Sequence, residues 1–214
     1  MDYTVVIPAY NEAKPLEWVL PQIRLMAPHV LVVDDGSTDD TSAVARRLGA
    51  EVVRHEQNAG KGAAVLTGLR ESPTELVVLM DGDGQHDPRD APRLAIELAR
   101  GYDLVIGDRF TGSTDGMPLH RQVANSLIRG ILSSKTGVND PLSGYRALRR
   151  SPFLSLREAG YETEMEMVLL ANKLGLRVKE VPVRVRYKGL EARPKTNLNT
   201  YVRLLRFAMR GRLG

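Results

Sequence analysis

The stretch LVVLMDGDGQHDP, Leu76 to Pro88, joins an apolar run to a loop with carboxylates at Asp81 and Asp83 and an amide oxygen at Gln85. Side chains alternate between the faces of a strand, so positions 81, 83 and 85 are expected to offer oxygens on one side as the strand runs out. Oxygen ligands in a chain with no Cys favour Mg2+ or Mn2+ over zinc or copper. Two carboxylates leave room on such an ion for a substrate phosphate, which points to a diphosphate. An EF-hand loop is excluded, because its Gly and Glu positions fall on His86 and Pro92. Asp87 before Pro88 reads as a helix cap, which accounts for Asp87 but not for the crowding of Asp81 and Asp83.

Outward from this stretch, short β-branched runs alternate with helical patterns. Tyr3 to Pro8, Val30 to Asp34, Glu51 to Arg54, Glu75 to Met80 and Asp103 to Ile106 read as strands, and Leu16 to Met26, Thr41 to Leu48, Gly62 to Arg70 and Arg89 to Ala99 as helices. The series predicts an α/β fold whose mainly parallel central sheet is covered by helices on both faces, with ligands beyond the carboxyl ends of the strands. The polar motifs fall there. PAYNE (Pro8 to Glu12), DDGSTDDT (Asp34 to Thr41) and NAGKGAA (Asn58 to Ala64) follow the first three strands. Each also reads as a turn or cap, although Asp35 is placed to accept hydrogen bonds from a base or ribose. NAGKGAA is neither a P-loop nor a dinucleotide fingerprint: Gly60, Lys61 and Gly62 are adjacent, and Val65 stands where the latter needs Gly or Ala. The helix start can still bring Lys61 near a substrate, while turn glycines give the simpler account.

At 214 residues, 43% hydrophobic and 26% charged, the chain can bury one sizeable core. Zero Cys excludes disulfides and thiol catalysis. The N-terminus lacks signal-peptide regions and no apolar run approaches the roughly 18 residues of a membrane span, so a cytoplasmic location is expected. Residues 176 to 214 hold eleven Lys and Arg against two acids, a net +9, whereas residues 1 to 175 hold 19 bases and 24 acids, a net −5. The basic tail points to an anionic partner. An aromatic content of 5% offers few stacking platforms, so nucleic acid is not expected.

PAYNE, VVDDGSTDDT, NAGKGAA and MDGDGQHDP in this order resemble family 2 glycosyltransferases of the GT-A fold, closest to the dolichol-phosphate mannose synthase and polyprenyl-phosphate glucosyltransferase branch. The resemblance continues through DPLSGYRALRR (Asp140 to Arg150), YETEMEM (Tyr161 to Met167) and GLRVKEVPV (Gly175 to Val183). It implies a catalytic domain over 1–183, with a nucleotide-sugar half of about 1–108 and an acceptor half of about 109–183, followed by a basic loop and amphipathic helix over 184–214. It further implies that Pro8, Tyr10, Glu12, Val33, Asp35, Lys61, Asp81, Gly82 and Asp83 hold the sugar nucleotide, and that Asp81, Asp83 and Gln85 hold its metal. The implied reaction is inverting, metal-dependent transfer of mannose or glucose from a GDP- or UDP-linked donor to dolichyl or polyprenyl phosphate.

For the acceptor phosphate the resemblance selects Arg109, Arg121 and Asn125, and guanidinium suits that multi-donor task. Read alone, Arg121 and Asn125 better suit the exposed face of a helix from Pro118 to Ser134, and it is the resemblance that favours phosphate. A phosphate acceptor needs no strong base, and the metal would stabilise the leaving diphosphate, with Asp83 at the centre of the catalytic set. A hydroxyl acceptor would need a carboxylate base, for which Asp140 or Glu166 is the candidate. Glu162, Glu164 and Glu166 also read as a solvated helix face. In the segment Arg184 to Asn197, Lys195 matches the family's terminal loop Lys, and Arg193 is one of the bases placed to act beside it. Tyr201 to Leu213 reads as an amphipathic helix with Tyr201, Leu204, Leu205, Ala208 and Met209 opposite Arg203, Arg206 and Arg210. Such a helix suits an anionic membrane surface, making the protein peripheral, and equally suits docking on its own core.

Overall fold

The structure, a computed structural model, describes residues 1–110, 119–157, 160–186 and 198–210. Among these, seven strands form one sheet: β1 Thr4–Ala9, β2 His29–Asp34, β3 Glu51–Arg54, β4 Leu76–Leu79, β5 Leu104–Asp108, β6 Arg146–Arg149 and β7 Val178–Pro182. Their order is β3-β2-β1-β4-β6-β5-β7, and only β6 runs antiparallel to its neighbours. The helices are α1 Ala13–Ile23, α2 Thr41–Arg47, α3 Lys61–Glu71, α4 Ala91–Ala99, α5 Leu119–Thr136, α6 Thr163–Lys173 and α7 Leu198–Arg210.

Period-two alternation divides the strand side chains between two cores. Val5, Ile7, Val30, Val32 and Val78 pack under Leu16, Leu20, Val44, Leu94 and Leu98 of α1, α2 and α4. Val6, Leu31, Val33, Val77 and Leu79 pack under Val65 and Leu69 of α3 and Met167 and Val168 of α6. Covering both faces explains why VLVV and LVVL are apolar throughout. The chain steps from β1 through β2 to β3 on one side, then returns to place β4 on the other side of β1. A crevice opens at that reversal, beyond the carboxyl ends of β1 and β4. Gly68 lets α3 lie close to β1, since a Cβ there would come within 2.2 Å of Val6 Cγ1. This seating carries Lys61, the first residue of α3, over the crevice.

Several boundaries differ from the sequence reading. β4 ends at Leu79, its last sheet bond running from the Met80 amide to Val6 O (3.0 Å), and Asp81 to Gln85 form a turn with Gly84 at φ +74°. Strand alternation therefore does not arrange positions 81, 83 and 85. Asp87 does cap: its Oδ1 accepts from the Arg89 amide at 3.0 Å, and a 3-10 turn over Pro88–Asp90 leads into α4. β6 and β7 were not among the expected strands. RALR carries Arg at both ends, yet Arg146 is fully buried.

A third core joins α5, α6 and α7 through Ile128, Leu132, Met165, Leu169, Leu204 and Ala208. Lys135 Nζ donates to the carbonyls of Ala208 (2.8 Å) and Met209 (3.2 Å), and Arg203 pairs with Glu162 at 2.8 and 3.0 Å. The C-terminal helix thus docks on the chain itself, with Met209 turned outward at 65% exposure rather than joining the packed face. No described helix is long and apolar enough to cross a membrane.

Candidate active site

On the β1–β2 side, two loops are laced together by short polar side chains. Asn11, in the left-handed region at φ +56°, accepts through Oδ1 from the amides of Thr38 (2.8 Å) and Asp39 (3.3 Å), and its own amide donates to Ser37 Oγ (2.9 Å). The Glu12 amide donates to Thr41 Oγ1 at 2.9 Å. Asp34 is buried and accepts from the Ser37 amide (2.8 Å), Ser42 Oγ and Arg54 Nη1 (3.3 Å). Burial raises its pKa, but these bonds and the Arg54 charge outweigh it and hold the carboxyl below its usual range. Asp35 accepts from the amides of Ala59 (2.9 Å) and Gly60 (2.8 Å) and from His55 Nδ1 (2.7 Å), so it fixes the loop that delivers Lys61. Tyr10 is 42% exposed at the mouth, while Val33 turns its side chain into the core beneath α3.

The centre of the crevice is an ion-pair cluster. Lys61 Nζ lies 2.7 Å from Asp81 Oδ1 and 2.7 Å from Glu164 Oε1, with all three side chains less than a third exposed. Burial alone would lower the lysine pKa, but the two carboxylates outweigh it and hold Lys61 charged. Asp81, likewise opposed by burial, is brought down to about 2 chiefly by Lys61. Glu164 Oε2 is buried with no hydrogen-bond partner among the described residues. Together with Pro8, Gly144, Arg146 and Thr163 these groups line a small cavity. Gly144 is required by close approach, because a Cβ would stand 2.6 Å from Asp81 Oδ2 and 2.8 Å from Lys61 Nζ. Beneath, Arg146 donates to the carbonyls of Ser143 (2.6 Å), Pro141 (2.6 Å) and Glu164 (2.7 Å), which fixes the Gly144 turn and the start of α6.

Asp83 follows Asp81 in the turn beyond the buried Gly82, and its Oδ1 accepts from the Gln85 amide at 3.0 Å. Burial and then the Asp81 charge push its carboxyl up to about 6. Among the described residues no base pairs with Asp83, and no three His, Asp or Glu side chains converge as a metal's ligands. The expected set of two carboxylates and an amide does not require three such groups. His86 stacks on Tyr145 with ring centroids 4.7 Å apart, and burial brings its pKa down to about 4. This turn is tied to the chain after β7 by bonds from the Arg186 amide to Gln85 O (2.8 Å) and from the Asp87 amide to Arg184 O (3.4 Å).

Just beyond β5, Arg109 grips Asp140 with Nε and Nη2, both at 2.8 Å, and with its backbone amide at 3.1 Å. Despite burial, Arg109 holds the Asp140 carboxyl below the usual range. Glu166 accepts from the Arg157 amide with both oxygens at 3.0 Å, so Glu164 rather than Glu166 meets Lys61. Glu162, Glu164 and Glu166 are all buried, which removes the solvated-face reading. Arg121 and Asn125 fall on α5, but their side chains lie outside the described residues, as do Arg193 and Lys195. Sequence reasoning did not single out Glu164, Gly144, Arg146 or His55, although LSGYR and ETEMEM contain the first three.

The family model described as Glycosyl transferase family 2 matches residues 4–157, which include both loops and the ion-pair lysine and aspartate. The chain belongs to glycosyltransferase family 2. It is similar to the polyprenol monophosphomannose synthase of Mycolicibacterium smegmatis, with 33% identity over 98% of this chain and 88% of that protein. It is also similar to the UDP-N-acetylglucosamine–dolichyl-phosphate N-acetylglucosaminyltransferase of Methanococcus voltae, with 30% identity over 91% of this chain and 89% of that one. Among solved structures it resembles glucosyl-3-phosphoglycerate synthase of Mycobacterium tuberculosis in complex with Mn2+, UDP-glucose and phosphoglyceric acid. The TM-score is 0.77 and the identity 27%, covering 98% of this chain and 79% of that one. The chain is a family 2 glycosyltransferase of GT-A type, with polar loops at the ends of β1, β2 and β4, where the reversal in strand order opens the sheet.

Proposed function

We propose that the chain transfers a hexose, mannose or glucose, from a GDP- or UDP-linked donor to dolichyl or polyprenyl phosphate, with inversion and with Mg2+ or Mn2+ held by Asp81, Asp83 and Gln85. The observation that carries this reading is the turn just beyond β4, where Asp81 and Asp83 stand two residues apart and no base pairs with Asp83 among the described residues, an acidic pair that suits an oxygen-ligated cation. A bound divalent ion would supply positive charge against the charge that grows on the leaving diphosphate. Pro8, Tyr10, Glu12, Val33, Asp35, Lys61 and Gly82 complete the donor half, about 1–108. Lys61, fixed between Asp81 and Glu164, adds a cation on the same side of the crevice.

The acceptor half, about 109–183, supports a phosphate over a hydroxyl. Asp140 is committed to Arg109 and Glu166 to the Arg157 amide, so neither is poised as a base. A phosphate monoester is already largely ionised near neutral pH and attacks the anomeric carbon without one. Arg109, Arg121 and Asn125 hold that phosphate, and Arg193 and Lys195 of the basic loop contribute charge beside it. The outward Val202, Arg206 and Met209 of α7 give an apolar and basic face for an anionic membrane, where a lipid-linked acceptor resides. The resemblance to a synthase crystallised with phosphoglyceric acid favours a second reading, a soluble hydroxyl acceptor with Asp140 or Glu166 as base. Turnover of Arg121→Ala against Asp140→Asn and Glu166→Gln separates the two. Loss in the Arg variant with activity retained in Glu166→Gln supports the phosphate acceptor; intact Arg121→Ala with a dead carboxylate variant supports the hydroxyl.

A further inference from the structure

The end of β2 carries an acceptor count that bears on the donor's base. A carboxylate offers about four acceptor positions, two on each oxygen. On Asp35 three are filled: Oδ1 by His55 Nδ1 at 2.7 Å and the Ala59 amide at 2.9 Å, Oδ2 by the Gly60 amide at 2.8 Å. An ionised carboxylate only accepts, so Nδ1 of His55 carries the proton, and Nε2 meets the Thr67 hydroxyl at 2.9 Å. Thr67 thereby fixes the ring that occupies Oδ1. The loops cannot easily part to free that oxygen. Gly36, at φ +71°, brings the chain so near that a Cβ would lie 2.6 Å from the backbone carbon of Gln57. One acceptor position remains, on Oδ2.

We propose that Asp35 and His55, at the end of β2, make the crevice selective for uracil over guanine. The proposal rests on the reading of the crevice as a sugar-nucleotide site and narrows it to uridine donors. Guanine presents its ring N1–H and its exocyclic amine side by side, and a carboxylate pairs with both only if each oxygen has a position to give. Here Oδ1 has none. Uracil presents one ring N–H between two carbonyls and needs a single acceptor. Asp35 is only 3% exposed, so a donor brought against it loses water and is either matched or penalised. His55 is the specificity-determining residue because it closes the second oxygen.

The test is calorimetric titration of the full chain, with Mn2+ present, against UDP, GDP and inosine diphosphate, which keeps the ring N–H of guanine and lacks its amine. UDP is expected to bind at least about tenfold tighter than GDP, and inosine diphosphate no more weakly than GDP. His55→Ala opens a position on Oδ1 and should narrow the UDP to GDP ratio, a readout that a general loss of folded protein does not move. If that variant fails to fold, the three nucleotides on the unaltered chain decide. GDP binding as tightly as UDP, or inosine diphosphate binding about tenfold more weakly than GDP, overturns the base assignment and leaves the transferase reading standing. Absence of binding by every nucleoside diphosphate overturns both.

Discussion

Asp83 is held at a cost that a single substitution should reveal. Burial and the neighbouring Asp81 charge raise its carboxyl to about 6. Against an ordinary value of about 3.9, two units correspond to roughly 3 kcal/mol, which solvent access to this half-buried side chain reduces to about 1–2 kcal/mol. A carboxyl whose pKa is raised by folding is penalised when ionised. The cost is therefore absent below about pH 4, develops between about 4 and 6, and is full above. Asp83→Asn removes the charge and keeps the Oδ1 that accepts from the Gln85 amide at 3.0 Å. Without metal at pH 7.5, the variant should melt about 2–8 °C above the unaltered protein, and the gap should close by pH 4. With saturating Mn2+ the order should invert, because only the unaltered site gains the stabilisation of a bound ion. Differential scanning calorimetry over pH 4–8, with and without Mn2+, reads all three. An Asn variant no more stable than the parent at pH 7.5 without metal would refute the reasoning.

Three further outcomes follow from the packing. Gly144→Ala should leave the fold intact but weaken sugar-nucleotide binding at least about tenfold by titration, since its Cβ would force Asp81 and Lys61 apart. Arg146→Met should cost about 3 kcal/mol or more in urea unfolding, because three carbonyls would lose buried charge-assisted bonds of 2.6 to 2.7 Å. Leu204→Ala should cost about 2–4 kcal/mol and open α7 to limited proteolysis, with the sheet still protected.

The first half of the chain was legible in the sequence because its signals are local. Apolar strands of four to six residues end in short polar loops, and a parallel sheet has few other ways to use them. Asp87 was readable as a cap because Asp then Pro is a one-turn signal. What escaped depends on distance along the chain. β6 is four residues long with Arg at both ends, and only its pairing with β4 and β5 makes it a strand. The burial of Glu164 is decided by Lys61, more than a hundred residues earlier, so a helix with three glutamates could be read as solvated. The turn at Asp81 to Gln85 replaced the expected strand alternation because Met80 makes the last sheet bond. His55 gave no motif, and its role rests on meeting Asp35 across two loops.

The central claim is tested most directly by incubating the purified protein with radiolabelled UDP- and GDP-sugars, Mn2+ and a short polyprenyl phosphate, then following label into the organic phase. The account predicts a lipid-linked sugar that disappears with EDTA and with Asp83→Asn. No lipid product from any donor, or one undiminished by EDTA, would contradict it.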